Sequence, residues 1–318
     1  MANVQNDFLV SAVSQSMFAA DLMAMVLLTP PGEWGADICF GTTQRFGMPL
    51  YFGGPSAAYF ATTDDNKRFI PGRLIGISKD ANGKPALRLA LQSREQHIKR
   101  EKALSNICTA QALPAIMSGF YALYHGNDGL VNIATNIHAK AVILANELTA
   151  MGCKQLNEYY FDTIRLELPA GKSAMKLKEI AEANLVNFRY MENGIVAIST
   201  DELTTEEGML KVMAIFAKAL DAKVPETIKD VKVEAIQKEL CRETPALHHK
   251  IFELYHTETE MMRYMKQLDR KDISLAHTMI SLGSCTMKLN AAAEMLPLSW
   301  QEFTGIHPFA PESQCEGY

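Results

Sequence analysis

The chain has 318 residues, of which 48% are hydrophobic and 21% are charged, and its formal net charge at pH 7 is −5. This length can hold one large or two modest domains, and the composition is ordinary for a globular protein. The acidic balance argues against a nucleic-acid surface, which needs a basic patch. No apolar run reaches the roughly eighteen residues of a membrane span, and the N-terminus lacks the regions of a signal peptide.

The cysteines are scattered through the chain and form no C-x-x-C pair. They are Cys39, Cys108, Cys153, Cys241, Cys285 and Cys315. Their spacing matches no zinc pattern, so we expect no metal site. Single cysteines at such spacing are typical of a reducing compartment, and we expect a cytoplasmic protein.

The first predicted elements surround a polar loop. The apolar run Met17 to Leu28, which precedes two prolines, predicts a buried strand followed by a short helix. Two further strand-like runs, Ala36 to Gly41 and Ala57 to Thr62, flank a loop punctuated by glycine and proline. The loop is either a tight turn between core strands or a site, because sites in open α/β sheets lie at strand ends.

A hairpin and a helix follow. Asn82-Gly83 divides the stretch Arg73 to Leu91 into two alternating runs, which is a strong hairpin signal. The stretch Ile107 to Tyr124 has a helical pattern that Pro114 should kink or restart. The charged residues between them, Lys99, Arg100 and Lys102, form either a solvated face, which we favour, or an anion clamp.

The middle of the chain predicts a small α+β unit, because helical and strand periodicities alternate within about a hundred residues. Its predicted elements are a helix from Asp128 to Gly152, a strand Phe161 to Leu168, a helix Ala174 to Ala183, paired strands Phe188 to Tyr190 and Ile195 to Ser199, and a helix that opens with a capping box at Thr204 to Glu207 and ends at Leu220.

A charged stretch, Asp221 to Pro245, reads as a linker with a helix over Asp230 to Leu240. The stretch His249 to Leu268 predicts a helix with Met262 and Met265 among its inward residues. A methionine cluster of this kind is more typical of a core than of a cofactor site.

Several blocks of this sequence resemble segments of one protein family, and they occur in the same order along the chain. They are LLTPPGEWGADICFGTTQRFGMPLYFGGPSAAYFA (Leu27 to Ala61), SREQHIKREKALSNICTAQAL (Ser93 to Leu113), YHTETEMMRY (Tyr255 to Tyr264) and SLGSCTMKLNAAAEMLPLSWQEFTGIHPFAPESQCEGY (Ser281 to Tyr318). The family is the P-protein of the glycine cleavage system, glycine dehydrogenase (decarboxylating), which uses pyridoxal phosphate. The resemblance implies an internal fragment that joins the non-catalytic half to the start of the catalytic half.

This resemblance implies an α/β fold: part of the large domain of a fold type I pyridoxal-phosphate enzyme, a small α+β domain and a helical linker. Along the chain it implies a remnant of the non-catalytic large domain at 1–126, the small domain at 127–221, a charged linker and helix at 222–272, and the start of the catalytic half at 273–318.

In the family, the catalytic half carries the Schiff-base lysine in a segment whose outline recurs here as Gly41 to Pro49, followed by Gly53-Gly54-Pro55. That register puts Gln44 at the lysine position and Phe18 at the position of the acid that pairs with the pyridine nitrogen. An amide cannot form a Schiff base and a phenyl ring cannot hold that nitrogen protonated. We therefore expect no catalytic and no cofactor-binding residue in this chain.

The resemblance also implies that Ser284, Cys285 and Thr286 lie near the glycine site, since small hydroxyls and a thiol at a loop can donate hydrogen bonds to a carboxylate. Lys288 is rejected as the Schiff-base lysine because the family's lysine belongs to a later segment.

The implied function is that of the full enzyme, which decarboxylates glycine and passes the aminomethyl group to the lipoyl H-protein. Pyridoxal phosphate would belong to the full-length enzyme, and the partners would be glycine, H-protein, the catalytic half and a second copy in a dimer, with no nucleic acid and no membrane. The fragment alone should be inactive. The alternatives are a structural or regulatory half-subunit that binds a separate catalytic chain, and an independent enzyme that uses Lys288 or a cysteine.

Overall fold

The computed structural model describes residues 15–104, 110–228, 236–271, 273, 277 and 291–317. The strands in this part of the chain are short. They are β1 (Met17–Ala19), β2 (Ile38–Thr42), β3 (Ala58–Thr62), β4 (Leu74–Lys79), β5 (Pro85–Ala90), β6 (Lys154–Gln155), β7 (Thr163–Glu167), β8 (Arg189–Tyr190) and β9 (Ile195–Ser199).

The α-helices range from single turns to one long helix. They are α1 (Gln96–Lys99), α2 (Ala112–Ala150), α3 (Ala174–Ala183), α4 (Glu206–Leu220), α5 (Glu258–Asp269), α6 (Ala292–Met295) and α7 (Gln301–Thr304). Short 3-10 helices lie at Ala24–Val26, Pro31–Trp34, Tyr51–Gly53, Asp64–Asn66, Gln92–Arg94, Arg100–Lys102, Glu192–Gly194, Lys238–Leu240, Lys250–Glu253, Leu296–Ser299 and Glu312–Gln314. The mixed α/β character expected from the sequence is confirmed.

The chain divides into two units by its internal contacts. The first comprises Met1–Leu22, Pro30–Tyr121 and Thr257–Phe309, and the second comprises Met23–Thr29, Ala122–His256 and Ala310–Tyr318. Helix α2 therefore contributes its first residues to one unit and the remainder to the other. The four segments expected from the family resemblance stay a prediction.

The first unit contains a three-stranded sheet in the order β1-β2-β3. Strand β1 pairs parallel with β2, with Phe18 opposite Cys39, and β2 pairs antiparallel with β3, with Phe40 opposite Phe60. The two strands predicted on either side of the polar loop are confirmed. The expectation of a buried strand at Met17 is wrong, because Met17 lies on the sheet face that also exposes the two phenylalanines.

The predicted hairpin of the first unit is also confirmed. Strands β4 and β5 pair antiparallel from Leu74 opposite Ala90 to Lys79 opposite Pro85. Gly83 takes a φ of +79° in the turn, and Oδ1 of Asp80 accepts hydrogen bonds from the backbone N–H groups of Asn82 and Lys84. Left-handed backbone at this position is what a glycine in a short hairpin loop supplies.

Helix α2 contains the two helical stretches predicted on either side of residues 125–127, but it is not interrupted at Pro114. It begins at Ala112, so Pro114 lies in its first turn, where the missing backbone N–H has no helical partner to lose. The interruption falls at Gly126, between the predicted end at Tyr124 and the predicted start at Asp128, with φ of 62° and ψ of −173°. A Cβ at Gly126 would lie 2.6 Å from the carbonyl oxygen of Phe252, so only glycine fits this close approach.

The second unit contains an antiparallel sheet in the order β6-β7-β9-β8. The predicted sequence of helix, strand, helix, strand pair and helix is confirmed. Fully buried side chains from α2, β7, β9, α3 and α4 form one core, since each element presents its apolar stripe inward. Its members include Leu144, Leu148, Ile164, Leu166, Leu177, Val196, Met213 and Phe216.

Two helix starts differ from the prediction. The N-cap of α4 is Thr205, whose hydroxyl accepts from the backbone N–H of Gly208, whereas the Thr204 hydroxyl bonds to Asp201. The predicted helix from His249 is interrupted: after a 3-10 turn, Tyr255 takes a φ of +64°, and α5 begins beyond the N-cap Thr257.

The methionines expected to face inward on this helix do not all do so. Met261 is buried, but Met262 and Met265 are exposed. Of the predicted linker helix, residues 229–235 lie outside the described residues, and Lys238–Leu240 is a 3-10 turn. In the part of the chain that the structure describes, no helix has the length and apolar character needed to cross a bilayer.

Candidate functional site

The candidate site lies at the carboxyl ends of two parallel strands. Strand β1 leads to Asp21, and β2 leads into the loop from Thr43 to the cis peptide bond Gly54-Pro55, after which β3 returns. Because the carboxyl ends of neighbouring parallel strands meet at one sheet edge, this edge is where an α/β sheet places a ligand. The side chains at this edge therefore decide what the loop can do.

Gln44 is held by bonds within its own loop. Its side-chain amide donates to the carbonyl oxygen of Pro49 at 3.3 Å, and its backbone N–H donates to the Thr42 hydroxyl at 3.1 Å. Its carbonyl oxygen accepts from the backbone N–H of Met48 at 3.0 Å. An amide nitrogen has its lone pair delocalised and cannot attack a carbonyl carbon. The side chain thus closes the loop and supplies no nucleophile.

The neighbouring cation is engaged by an acid from the other strand. The Nε atom of Arg45 lies 3.3 Å from Oδ2 of Asp21, and both side chains are partly buried. Arginine stays protonated in proteins and does not act as an amine nucleophile. The sequence register placed Asp21 three residues away from the acid position, and the structure gives it this ion pair.

The loop packs tightly on the first turns of α2. The Ser118 hydroxyl donates to Oγ1 of buried Thr43 at 2.9 Å, and the Phe46 ring lies 5.5 Å from the Tyr121 ring. Gly47 has φ of +80°, and a Cβ there would lie 2.8 Å from Cδ2 of Tyr121. These contacts hold the loop to the helix and leave Phe46 almost fully buried.

Tyr59 on β3 closes the base of the site. Its hydroxyl donates to the carbonyl oxygen of Ala20 at 2.7 Å and lies 3.5 Å from Sγ of Cys39. Burial, the hydrogen bond with Cys39 and the nearby charge of Asp21 raise the pKa of Tyr59 well above its usual value. The phenol therefore stays protonated and joins β1 to β3 across β2.

Sequence reasoning missed Tyr59 and the ion pair of Arg45 with Asp21. The alternation of β3 placed Tyr59 on the face opposite to Phe60, which was a usable signal. Phe18, the residue at the predicted acid position, pairs with Cys39 inside the sheet. Ser284, Cys285, Thr286 and Lys288 lie outside the described residues, so their role stays a prediction.

One arginine of the charged segment before α2 is buried and bonds to backbone carbonyl groups. Buried Arg94 donates through Nη2 to the carbonyl oxygen of Gly72 at 2.7 Å and through Nη1 to that of Ile70. The three cations considered for an anion clamp, Lys99, Arg100 and Lys102, are exposed. No group of three potential metal ligands comes together among the described residues.

A cavity of about 370 Å³ lies at the other end of β2. Its wall includes Ile38 at the start of β2, Phe60 on β3, and Phe69 and Ile70 beyond it. The cavity is thus separated from the Gln44 loop by the length of the strand, and none of its described lining residues has an ionisable side chain.

These features define the class of protein: a mixed α/β protein whose strand-end loop carries an amide and an ion-paired arginine where a free amine is needed for covalent attachment. For covalent attachment of pyridoxal phosphate, the residues at this loop do not fit, because Gln44, Arg45 and Phe18 offer neither a free amine nor an acid for the ring nitrogen.

Comparisons with known proteins identify the family. The family model for the glycine cleavage system P-protein matches residues 6–216. A glycine dehydrogenase (decarboxylating) of Bacteroides thetaiotaomicron is 60% identical over 301 residues, 94% of this chain, and glycine dehydrogenase (decarboxylating) 2 of Pseudomonas putida is 51% identical over 314 residues, 98% of this chain. The chain belongs to the glycine cleavage system P-protein family.

A solved structure supports the fold. The crystal structure of a glycine decarboxylase (P-protein) in inhibitor-bound form matches 65% of this chain and 48% of its own, with a TM-score of 0.59 and 29% identity. The chain spans about a third of the curated relatives it matches, 32% of each of the two named above.

Proposed function

We propose that this chain is a section of a glycine dehydrogenase (decarboxylating) that supports the reaction without performing it. The full enzyme decarboxylates glycine and passes the aminomethyl group to a lipoyl H-protein. The observation that carries the proposal is the bonding of Gln44, whose amide donates to Pro49 within the loop, in a chain 60% identical to an enzyme of that name.

Within this proposal, the chain folds as part of a fold type I large domain, followed by a small α+β domain and a linker. The segment boundaries at 126, 221 and 272 belong to the proposal, as does the start of the catalytic half at 273. Pyridoxal phosphate belongs to the full-length enzyme and is held by residues outside this chain, since the Gln44 loop has no group to bond it.

The proposed assembly is a dimer that works with H-protein, in the cytoplasm. The cysteines within the described residues, Cys39, Cys153, Cys241 and Cys315, are free thiols, which supports a reducing compartment. In the curated relatives one chain about three times as long carries the whole enzyme name, which favours a section of a single chain over a half-subunit that binds a separate catalytic chain.

The test is a single-chain hybrid in which this chain replaces the matching third of the Bacteroides thetaiotaomicron enzyme. The hybrid should release carbon dioxide from glycine in the presence of H-protein, and the isolated chain should release none. Gln44→Ala in the hybrid should change kcat by less than about threefold, because the amide makes one neutral hydrogen bond within the loop. Loss of turnover in a folded Gln44→Ala hybrid, or turnover by the isolated chain, would overturn the proposal.

A second test asks whether the lack of a lysine at position 44 explains why this loop forms no adduct with pyridoxal phosphate. The isolated chain mixed with pyridoxal phosphate should show no absorbance band of a lysine adduct that survives dialysis, and Lys288→Ala should give the same spectrum. The variant Gln44→Lys should gain a borohydride-trappable adduct at residue 44 if the loop still has the outline of a cofactor site. A trapped adduct at Lys288 in the unmodified chain would favour the independent enzyme instead.

A further inference from the structure

The β4–β5 ribbon, residues Leu74–Ala90, exposes a row of aliphatic side chains on one face. Ile75 lies opposite Leu89, and Ile77 lies opposite Leu87. Because side chains alternate across a strand, these four share one face. Three of them are strongly exposed: Ile75 at 60%, Ile77 at 82% and Leu87 at 75%. Contiguous exposed aliphatic groups on a sheet mark an interaction surface.

The charge on this ribbon is predominantly basic. Lys79 shares the face of the aliphatic side chains, Arg88 lies on the opposite face, and Lys84 follows the turn; all three are exposed. Arg73, directly before the ribbon, is also exposed, and its Nε atom lies 3.7 Å from Oε2 of Glu95. The one carboxylate between them, Asp80, is engaged by two backbone N–H groups of the turn. A chain with a net charge of −5 thus presents an aliphatic face that ends at the cation Lys79. A surface with an apolar strip and an acidic border is the complement that such a face fits.

A second copy of the same ribbon is a poor occupant. It would bring Lys79 of both copies onto one small interface, and like charges across an interface are unfavourable. The four aliphatic side chains also offer only on the order of 400 Å² of apolar surface, whereas a stable interface buries roughly 800 Å² on each partner. A surface of this size suits a segment that is already tethered in the same polypeptide, and the relatives carry about two thirds of their length outside the matched region.

We propose that the aliphatic face of the β4–β5 ribbon docks against the polypeptide that the P-protein relatives carry outside this region, on an apolar strip with an acidic border. The proposal rests on the proposed function, because it takes this chain to be a section of that longer protein.

The test compares thiol labelling at two ribbon faces in the isolated chain and in the single-chain hybrid. Ile77→Cys reports the accessibility of the aliphatic face, and Arg88→Cys reports the accessibility of the opposite face. With a maleimide reagent, and with the unsubstituted chain as background, both should label rapidly in the isolated chain. In the hybrid, Ile77→Cys should label at least about tenfold more slowly, while Arg88→Cys keeps its rate. Equal rates at Ile77→Cys in both proteins would overturn the proposal.

A second measurement uses stability. Ile77→Ser should leave the thermal midpoint of the isolated chain unchanged, because the side chain is 82% exposed there, and should lower that of the hybrid. Leu203→Ser, which replaces an exposed leucine of the second unit, is the matched control and should have the same effect in both proteins. A concentration-dependent dimer of the isolated chain that Ile77→Ser abolishes would assign the face to a second copy and overturn the proposal.

These outcomes separate the two proposals. Labelling is read on the purified hybrid whether or not it turns over glycine. If the hybrid decarboxylates glycine but Ile77→Cys is labelled freely, the proposed function holds and the docking proposal is wrong. A hybrid that protects Ile77→Cys and is inactive keeps the docking face and removes the proposed function.

Discussion

The two sheets of this protein bury their apolar side chains to different extents. In the second unit, β7 and β9 place Ile164, Leu166 and Val196 in a core that is closed by helices from the same unit. In the first unit, β2 and β3 expose Phe40 and Phe60 on one face. The difference shows that one sheet completes its core with nearby sequence, whereas the other presents apolar surface of the kind that further polypeptide covers.

The largest expected effect tests the closed core. Phe216 is fully buried and its ring lies 5.4 Å from that of Phe188. Phe216→Ala should lower the free energy of unfolding of the second unit by about 3–5 kcal/mol, because it removes a large side chain and leaves a cavity. Urea unfolding followed by circular dichroism measures this loss. The exposed residue Leu185 is the control, and Leu185→Ala should cost less than about 0.5 kcal/mol.

The open sheet should be sensitive to its backbone contacts more than to its exposed rings. A Cβ at Gly41 would lie 2.3 Å from the carbonyl oxygen of Ala20 and 2.8 Å from the Tyr59 ring. Gly41→Ala should therefore cost about 1–3 kcal/mol, since backbone atoms must move. Gly32, where a Cβ would have no atom within 4 Å, is the matched position. Equal unfolding midpoints for Gly41→Ala and Gly32→Ala would show that the base of the site is not tightly packed.

A helix cap tests the corrected start of α4. The Thr205 hydroxyl accepts from the backbone N–H of Gly208 at 3.1 Å. Thr205→Ala should cost about 1 kcal/mol, and Thr205→Ser, which keeps the hydroxyl, should cost much less. Thermal unfolding of the three proteins measures the difference. If alanine and serine at this position have the same midpoint, the hydroxyl does not cap the helix.

The smallest effect at neutral pH concerns a buried hydroxyl of the closed sheet. The Tyr190 hydroxyl oxygen has no hydrogen-bond partner among the described residues. Tyr190→Phe should therefore be neutral or stabilising at pH 7, within about 1 kcal/mol, because no hydrogen bond is lost. Urea unfolding at pH 7 gives this comparison.

The same variant has a pH signature. Burial, with a smaller contribution from the Glu182 carboxylate, raises the pKa of Tyr190 from 10.0 to about 12. The native state then holds a proton that the unfolded state releases first, so this contribution to stability is full below pH 10 and is lost as pH rises toward 12. Tyr190→Phe should lose less stability than the parent protein over that range. Parallel losses would assign the alkaline transition to other groups.

Much of the second unit could be predicted from the sequence because its signals are local. The periodicity of Leu144 and Leu148 and the alternation of Ile164 and Leu166 each depend on neighbours a few residues away. Helix starts were less certain, as Thr204 and Thr205 are adjacent hydroxyls and only the backbone geometry selects one. The break at Gly126 falls between the helices predicted to end at Tyr124 and to begin at Asp128, but its cause, the Phe252 carbonyl oxygen, is distant in sequence and could not be predicted.

At the candidate site, too, the local features could be predicted from the sequence and the contacts between strands could not. The absence of an amine at Gln44 is a property of the residue type and could be read before any coordinates. The Arg45–Asp21 ion pair and the Tyr59 bond to Ala20 could not, because they join residues on different strands. Their existence depends on the parallel register of β1 with β2, which no local pattern specifies.

The sequence by itself determined the family outline, the strand and helix order and the missing nucleophile, since these follow from residue chemistry and short-range periodicity. Only the tertiary structure decided that Gln44 closes its loop onto Pro49, that Met17 and the β4–β5 ribbon expose apolar side chains, and that Tyr59 joins β1 to β3. The physical reason is that burial and hydrogen bonding depend on which distant segments meet, and that is a property of the folded chain.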